Sequence, residues 1–494
     1  MLFANITETL PLNAKRRPDH PALILGERAV TYGELAPLVA RTAAHLAGLG
    51  VRRDDLVGVA LKDSIEHVVA MLAIARLGAA ILPIDWRWGQ SEKQRLVDFF
   101  APRLVLTEPG AEALPPFGLA AVDEAWHAAV ARQDAATAPA CTDPDAPLLL
   151  SLSSGTTGRP KGPMLTHRLL QNRFLQHWAC LSFHEQDRHL VSTPLYFGGG
   201  RVFALSHVYV GATTVLLPLP YQPEELIATV RRHRITTMFI VPTMLRRLME
   251  MPDAGAPLLA GVRYVISGGA ALRPAERLEA LQKVSPNLIN YYSSSEGGAV
   301  SLLLPEHGGE AANSVGRPVF MTEVEVVDDD DGGLGPGATG HVRYRGPGVP
   351  SALYRDAAQS ASMFRHGWFY PGDLGMIDAH GFLHLTGRAK DMIIRGGVNI
   401  YPQDIERVLA AAPGVHDVAV VGWPSRAFGE ELAAFVVRRG EIDEAALISR
   451  CKAELASYKV PRAIFFVDAL PKNSSGKVTK AALVERLPPL DAKT

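Results

Sequence analysis

The chain has 494 residues, of which 47% are apolar and 20% are charged, and its formal net charge is -1. This is the balance of an ordinary globular protein, and at about 100–200 residues per domain it predicts roughly three units. A near-neutral charge disfavours nucleic acid and anionic membrane as the main partners.

Cysteine usage and the first residues indicate the compartment. Cys141, Cys180 and Cys451 are far apart and have no metal-ligand spacing, which argues against a disulfide framework or a structural zinc site and fits a reducing environment. Residues 1–20 lack a basic start followed by a long apolar core, so we expect no secretory signal. The longest apolar stretch, Val68–Ile84, is interrupted by a charge, a glycine and a proline, and it predicts a buried helix followed by a strand. We therefore expect a cytoplasmic protein.

Helical and strand patterns alternate through the first two-thirds of the chain. The apolar spacing predicts helices over Glu34–Leu49, Ser64–Leu77 and Glu224–Arg232, and strands over Asp55–Leu61, Ala79–Ile84, Thr237–Val241, Val262–Ser267 and Leu288–Tyr292. Strands that alternate with helices predict parallel sheets covered by helices.

The pattern changes at Ala311, where Gly, Pro and Asp begin to punctuate short strands. These strands are expected at Glu323–Val327, Gly340–Tyr344 and Phe382–Leu385, and they predict a mostly antiparallel β region. The run Asp328–Asp331 is followed by two glycines. A metal site and a solvated hairpin tip both fit this run, and the hairpin tip is the simpler interpretation.

A second change follows Gly387. The residues beyond it predict a compact α+β unit of about 100 residues, the size of a small separate domain, with a boundary near Lys390. Its expected elements are a helix over Gln403–Ala411 just behind Pro402, strands over Val415–Gly422 and Leu432–Arg438, and a helix over Asp443–Leu455 with Asp443 as its N-cap.

A segment rich in hydroxyls and glycines, Ser151–Gly162, follows the apolar strand Leu148–Leu150 and reads SLSSGTTGRPKG. Glycines let backbone N–H groups approach a ligand, hydroxyls donate hydrogen bonds, and Lys161 adds positive charge, as a triphosphate requires. Pro160 stands where a G-x-x-x-x-G-K-[ST] loop needs its second glycine, so the segment does not follow that pattern. By composition alone, a flexible Ser/Gly loop remains the alternative.

The Ser151–Gly162 segment closely resembles the phosphate-loop signature of the adenylate-forming superfamily, which includes acyl- and aryl-CoA synthetases, adenylation domains of peptide synthetases and beetle luciferases. The resemblance continues in order along nearly the whole chain. The further matching segments are YSSSE at 292–296, WFYPGDLG at 368–375, GRAKD at 387–391 with GGVNIYP at 396–402, and PKNSSGK at 471–477. Each is weak alone, and together in this order they are specific.

This resemblance implies an α/β fold in two parts. The large N-terminal domain, 1–389, has parallel sheets with helices plus a distorted β-barrel subdomain that is mostly β over 311–386. The small α+β C-terminal domain, 390–494, is mobile and rotates about a hinge at Lys390. The implied partners are ATP, Mg²⁺, CoA and a small carboxylic acid, with no nucleic acid and no membrane, for a monomer or homodimer.

The resemblance also implies a reaction, that of an AMP-forming acid–CoA ligase, or acyl-CoA synthetase. The acid's carboxylate attacks the α-phosphorus of ATP and pyrophosphate leaves, and a thiolate then attacks the acyl-adenylate. Catalysis is mostly positioning and charge stabilisation. Lys477 would bridge acid and phosphate in the first step, and rotation about Lys390 would replace it by the Gly396–Asn399 loop. The implied catalytic residues are Lys477, Glu296, Arg388 and Lys390.

The remaining implied roles concern the nucleotide and the metal. Tyr292 would stack on adenine, Asp373 would accept two hydrogen bonds from the ribose diol, and Glu296 with Thr156 would hold Mg²⁺. Outside this pattern Tyr292 would be a packing residue, Glu296 a solvated charge and Lys477 a solvated loop lysine. The full implied nucleotide set is Ser153, Ser154, Gly155, Thr156, Thr157, Gly158, Lys161, Gly269, Tyr292, Ser295, Asp373, Arg388, Gly396 and Gly397.

The implied acid pocket departs from the family's pattern in two ways. Phe197 stands where many members carry a His at the mouth of the pantetheine tunnel, and Ser293 replaces a Gly. The glycines 198–200 either leave room for a substrate or form a tight turn. No aspartate lies in Tyr196–Phe203 to pair with an α-ammonium group, which disfavours an amino-acid-activating domain. The glycines and the nearby hydroxyls favour an aryl or short- to medium-chain acyl acid. The implied pocket residues are Phe197, Gly198, Gly199, Gly268, Tyr291 and Ser293, of which Tyr291 and Ser293 could hydrogen-bond a ring substituent.

Two alternatives to a CoA ligase remain from the sequence. The first is a stand-alone acyl-adenylating enzyme that loads a carrier protein or another acceptor, and Phe197 leaves this possibility open. The second is a non-catalytic nucleotide-binding protein. The joint presence of Glu296, Asp373, Arg388 and Lys477 disfavours it.

Overall fold

The structure is a computed structural model that describes residues 3–152, 161–252, 255–395, 398–425, 428–472 and 477–490, with the backbone alone at 309, 310 and 399. The chain divides into two compact units. The first comprises residues 1–323 and 344–369, and the second comprises residues 324–343 and 370–494.

The strands, in chain order, are β1 (Pro21–Leu25), β2 (Arg28–Thr31), β3 (Leu56–Ala60), β4 (Ala80–Pro83), β5 (Leu104–Thr107), β6 (Gly118–Ala121), β7 (Pro147–Leu150), β8 (Met164–Thr166), β9 (Arg188–Val191), β10 (Thr213–Leu216), β11 (Thr237–Ile240), β12 (Tyr264–Gly268), β13 (Leu288–Ser294), β14 (Gly298–Leu303), β15 (Arg317–Pro318), β16 (Glu323–Val327), β17 (Gly340–Arg345), β18 (Phe364–Arg365), β19 (Trp368–Phe369), β20 (Asp373–Ile377), β21 (Leu383–Arg388), β22 (Ile393–Arg395), β23 (Val398–Ile400), β24 (Val415–Ser425), β25 (Gly429–Arg438) and β26 (Ala463–Phe466). The α-helices are α1 (Thr9–Arg16), α2 (Tyr32–Gly48), α3 (Ile65–Arg76), α4 (Gln90–Phe100), α5 (Glu124–Ala131), α6 (His167–Leu181), α7 (Gly198–Val210), α8 (Pro223–His233), α9 (Pro242–Met249), α10 (Pro274–Lys283), α11 (Ala357–Met363), α12 (Pro402–Ala410), α13 (Glu444–Glu454) and α14 (Lys480–Val484).

Two largely parallel sheets form the first unit. One has nine strands in the order β15-β14-β13-β12-β11-β9-β10-β1-β2, and the other has six in the order β6-β5-β3-β4-β7-β8. The strands from β13 to β1 are parallel, whereas β2, β14 and β15 at the edges are antiparallel. Helices connect the parallel strands, because a parallel pair needs a long crossover. The expected parallel sheets with helices are confirmed.

Helix α3 explains the long apolar stretch of the sequence. Ten of its residues are buried, and the Ser64 side chain caps its start by accepting the backbone N–H of His67. A helix that is apolar all round is a core helix when it is this short. The chain then continues into β4, as expected. Within the described ranges, no helix is both long and apolar enough to cross a bilayer.

The second unit has antiparallel strand pairings in two regions. Strand β20 pairs with β21, and the C-terminal sheet runs β23-β22-β25-β24 with β26 parallel to β25. Pro402 begins α12, and Asp443 caps α13 by accepting the N–H of Ala446 at 2.7 Å, as the sequence predicts. At the Asp328–Asp331 run, the Asp328 carboxylate accepts backbone N–H groups of its own turn, which is the geometry of a hairpin tip.

Candidate active site

The Ser151–Gly162 segment joins β7 to β8, and the structure describes its two ends. Leu150 pairs with Met164, and the N–H of Ser151 donates to the carbonyl of Pro163 at 3.0 Å. A Cβ on Gly162 would overlap the Ser151 carbonyl, so only glycine fits there. The ends of the loop are therefore held together. The predicted phosphate contacts Ser153, Ser154, Gly155, Thr156, Thr157 and Gly158 lie outside the described residues.

The start of this loop meets the 292–296 motif within the first unit. The Ser151 hydroxyl donates to the Ser295 carbonyl at 2.8 Å, although 144 residues separate them along the chain. The buried Arg173 guanidinium donates to the Glu296 carbonyl at 2.8 Å and to the Gly348 carbonyl at 2.9 Å. The structure thus brings together two motifs that the sequence assigned to one site, and it fixes the backbone that carries Glu296.

The carboxyl ends of the parallel strands explain why these segments converge. Strands β9, β11, β12 and β13 are neighbours and end at the same edge of the sheet. That edge is where open α/β sheets bind ligands. The Tyr291–Glu296 side chains there are all partly buried, and a Cβ on Gly269, where φ is +88°, would lie 3.4 Å from Phe197 Cζ. Phe197, Gly268, Gly269 and Tyr291 are therefore neighbours.

The three glycines at 198–200 do not form the tight turn that was one of the two sequence expectations. They form the first turn of α7, with Phe197 at its N-cap, instead of a tight turn. A Cβ on Gly199 would overlap the Phe239 ring, and one on Gly200 would overlap backbone carbonyls of the preceding loop. Only Gly198 faces open space. Two of the glycines therefore allow close packing, and one leaves room.

Sequence inspection missed the residues that hold the loop before Phe197. The Asp63 carboxylate accepts the N–H of Leu195 at 2.7 Å, and the buried Arg201 donates to the carbonyls of Leu195 and Tyr196 at 3.0 and 2.7 Å. Burial raises the pKa of Asp63 to about 6, while the Leu195 N–H and a nearby arginine oppose the rise and the charge of Asp85 adds to it. Asp63 comes shortly after the carboxyl end of β3. A polar residue in this position of a parallel sheet is a candidate site residue, so the sequence pattern could have indicated Asp63.

A second missed residue, His177, lies behind the predicted pocket residue Tyr291. Its Nε2 is 3.4 Å from the Tyr291 hydroxyl, and its ring stacks on Phe203 at 4.6 Å between centroids. Burial lowers the pKa of His177 to about 3 and raises that of Tyr291 above its ordinary value. Both groups are therefore neutral near pH 7, and the Tyr291 hydroxyl is oriented by an uncharged imidazole.

The second unit brings together Asp373 and Arg388. These residues lie directly opposite each other on β20 and β21, and Arg388 Nε is 2.6 Å from Asp373 Oδ1. Asp373 is 6% exposed, whereas the Arg388 side chain is 40% exposed. The ion pair therefore orients a guanidinium that still reaches solvent, where it can meet a ribose or a phosphate.

The other predicted residues of the second unit lie in three short segments of the chain. Lys390 lies in a single turn after β21 and is exposed. Gly396 and Gly397 lie outside the described residues, between strands β22 and β23, which pair at Arg395 and Val398. Lys477 is exposed and lies beside the bridge that joins residues 472 and 478.

Known proteins are similar to this chain in both sequence and fold. A family model described as "AMP-binding enzyme" matches residues 10–354, and one described as "AMP-binding enzyme C-terminal domain" matches residues 404–477. Indoleacetate–CoA ligase of Aromatoleum aromaticum is 31% identical over 493 residues, covering 96% of each chain. ATP-bound MatB from Rhodopseudomonas palustris superposes with a TM-score of 0.90 at 29% identity, covering 98% of this chain and 99% of the other.

A second solved structure carries an activated acid. The o-succinylbenzoate CoA synthetase MenE from Bacillus subtilis, in complex with its acyl-adenylate intermediate, superposes with a TM-score of 0.86 at 27% identity and covers 96% of this chain and 97% of its own. The matches span both units from end to end. This chain therefore belongs to the AMP-binding enzyme family, in the CoA ligase branch of the adenylate-forming superfamily.

Proposed function

We propose that this chain is an acid–CoA ligase that acts on an aryl or short- to medium-chain acid. The residues described above in the first unit and in the second unit are proposed to have different roles in its reaction. The chain is an AMP-forming ligase: it uses ATP to turn a carboxylic acid into an acyl-adenylate and CoA to turn that into a thioester. The observation that carries the residue assignment is the junction of Ser151 with Ser295, since it joins the predicted phosphate loop to the motif that ends in Glu296.

In the first unit we assign Tyr292, Ser295 and Glu296 to ATP, together with Lys161 and the loop before it. Tyr292 would stack on adenine, and Ser295 would donate to phosphate oxygens. Glu296, with Thr156, would hold Mg²⁺, which prefers one or two carboxylates and completes its shell with substrate phosphates. Bound Mg²⁺ would neutralise charge that develops on the phosphates.

In the second unit we assign Asp373 to the ribose diol and Arg388 to ribose or phosphate oxygens. Their ion pair at 2.6 Å supports this, because it holds both side chains in one geometry before any ligand binds. Lys477 would bridge the acid and the α-phosphate during adenylation. Rotation about Lys390 would then replace Lys477 by the Gly396–Asn399 loop. We propose Lys390 as the hinge between the large N-terminal domain and the mobile C-terminal domain.

The acid is proposed to lie against Phe197, Gly198 and Tyr291, with Gly199, Gly268 and Ser293 completing the wall. Two of the three relatives named above are, by name, an indoleacetate–CoA ligase and an o-succinylbenzoate CoA synthetase, and both of these acids carry a ring. This supports an aryl acid here. Three free cysteines support a reducing compartment such as the cytoplasm, and we propose a monomer or homodimer without nucleic acid or membrane partners.

The experiment is acid-dependent pyrophosphate release, measured with and without CoA and followed by mass analysis of the products. We expect the enzyme to release pyrophosphate from ATP when benzoate or butyrate is present, and to form the matching acyl-CoA when CoA is added. Acyl-AMP that accumulates and does not react with CoA would favour a stand-alone adenylating enzyme. Phe197, in place of the family's His, leaves this alternative open. Failure of every acid to release pyrophosphate would contradict the ligase assignment.

A further inference from the structure

Lys477 lies in the chain segment Pro471–Lys480, which we call the lysine segment, and the two ends of this segment are held together. The N–H of Thr479 donates to the Pro471 carbonyl at 2.8 Å, in addition to the bridge beside Lys477 described above. These contacts fix the ends of the segment to each other. The placement of Lys477 therefore depends on how the segment is attached to the rest of its unit.

Two ion pairs attach the ends of the lysine segment to the rest of the second unit. Lys472 Nζ is 2.9 Å from Asp417 Oδ2 on β24, and Lys480 Nζ is 2.7 Å from Glu406 Oε1 on α12. The same Glu406 oxygen accepts the backbone N–H of Val420 on β24 at 2.8 Å. Both carboxylate side chains are only 20% exposed. Pairs withdrawn from water in this way hold one geometry better than fully solvated surface pairs do.

The Gly396–Asn399 loop is attached through a different carboxylate. Arg395, the residue directly before the loop, donates to Glu431 through Nε at 2.7 Å and through Nη2 at 3.0 Å. Glu431 lies on β25, and its side chain is 3% exposed. A two-bonded guanidinium–carboxylate pair fixes direction as well as distance. The start of this loop is therefore held by β25, whereas the lysine segment is held by α12 and β24.

We infer that each half-reaction has its own positioning carboxylates in the second unit. Glu406 and Asp417 hold the lysine segment for adenylation, in which a carboxylate oxygen bonds to the α-phosphorus and pyrophosphate leaves with the electron pair. Glu431 holds the Gly396–Asn399 loop for thioester formation, in which the thiolate sulfur bonds to the acyl carbon and AMP leaves with the electron pair. The inference rests on the proposed function, because it takes the roles of Lys477 and of the loop from it.

The test measures the two half-reactions separately, as single-turnover pyrophosphate release and as acyl-CoA formation from supplied acyl-AMP. Glu406→Gln keeps the size of the side chain and an acceptor oxygen but removes the charge. We expect it to slow the first half-reaction about tenfold to a hundredfold and to change the second less than about twofold, because displacing a catalytic group by about 1 Å costs up to about a hundredfold in rate. Glu431→Gln should show the reverse split. Asp417→Asn should act as Glu406→Gln does but more weakly, since the Lys472 side chain is 35% exposed.

The chain offers a matched control on the same helix. Asp404 also lies on α12, and its carboxylate is 2.5 Å from Lys459 Nζ, outside the lysine segment, with a side-chain exposure of 30%. Asp404→Asn should leave both half-reactions within about twofold of the wild-type rates, because the loss of such a pair costs little stability. Lys480→Met should reproduce Glu406→Gln from the other side of the pair, whereas Lys480→Arg keeps the cation and should retain the adenylation rate.

The outcomes separate the inference from the proposed function. A folded Glu406→Gln variant that loses both half-reactions equally, or neither, overturns the inference and leaves the ligase assignment intact. If Glu406→Gln or Glu431→Gln does not fold, Lys480→Met and Arg395→Met decide by the same comparison. Unchanged adenylation in Lys477→Ala would refute the role assigned to that lysine, whereas its loss there beside an unchanged Glu406→Gln refutes the inference alone. Absence of pyrophosphate with every acid refutes the proposed function itself.

Discussion

Asp63 offers a test of how the loop before the acid pocket is held. Its carboxylate accepts the Leu195 N–H at 2.7 Å, two residues before Phe197. Asp63→Asn keeps an acceptor oxygen at this place and removes the charge, whereas Asp63→Ala removes the acceptor. A buried N–H without a partner costs about 1–3 kcal/mol, so we expect Asp63→Ala to lose stability by that amount and to raise the KM for the acid.

The pH dependence of stability separates charge from hydrogen bonding. The pKa of Asp63 is about 6 in the folded protein and 3.8 ordinarily. A group whose folded pKa is raised contributes stability that is complete below the unfolded pKa and is lost as the pH rises through the folded pKa. The difference of about two pKa units corresponds to about 3 kcal/mol over the whole titration, and about half of this loss lies between pH 5 and pH 8. We expect about 1 kcal/mol over that interval, because the carboxylate is partly exposed.

The assay is urea denaturation of wild-type protein, Asp63→Asn and Asp63→Ala at pH 5 and pH 8. Between these values the free energy of unfolding of wild-type protein should fall relative to that of Asp63→Asn, because the asparagine does not ionise. The reasoning is refuted if the two proteins show the same change with pH, or if Asp63→Ala is as stable as Asp63→Asn.

Three further predictions concern other residues. Lys477→Ala should lower acyl-AMP formation and leave thioester formation from supplied acyl-AMP largely intact, and equal loss in both half-reactions would contradict the exchange of loops. Asp373→Asn should raise the KM for ATP by about tenfold to a hundredfold, because a hydrogen bond to a charged group is worth about 1.5–3 kcal/mol; an unchanged KM would contradict its contact with the ribose. Burial lowers the pKa of His177 to about 3 and that of His207 to about 4. Their contribution to stability is complete above pH 6.5 and is lost as the pH falls, by about 2 kcal/mol each at pH 5. His177→Asn should therefore flatten the fall of the urea midpoint between pH 7 and pH 5, and an equally steep fall would argue against a neutral buried imidazole.

The elements of the fold were predictable because their signals are local. The predicted strand Thr237–Val241 is β11 apart from its last residue, and the predicted strand Glu323–Val327 matches β16. Each is a short apolar or alternating run between turn residues, and such runs form strands. The N-cap at Asp443 was predictable for the same reason, since its bond spans only three residues.

The contacts that shape the acid pocket were not predictable, because they join distant parts of the chain. Asp63 reaches Leu195 across 132 residues, and His177 reaches Tyr291 across 114. Neither pair has a periodic pattern or a motif in the sequence. The glycines at 198–200 were ambiguous for a similar reason: local rules favour a turn, while the rings and carbonyls that require small residues come from elsewhere in the fold.

A pulse–chase of the activated acid tests most directly whether the acyl-adenylate is the intermediate on the way to the thioester. Enzyme, ATP, Mg²⁺ and radiolabelled butyrate or benzoate are mixed without CoA, and excess CoA with unlabelled acid is then added. We expect labelled acyl-AMP to form first and to pass into acyl-CoA as AMP is released. Label that never enters acyl-AMP, or that remains in acyl-AMP after CoA is added, would contradict it.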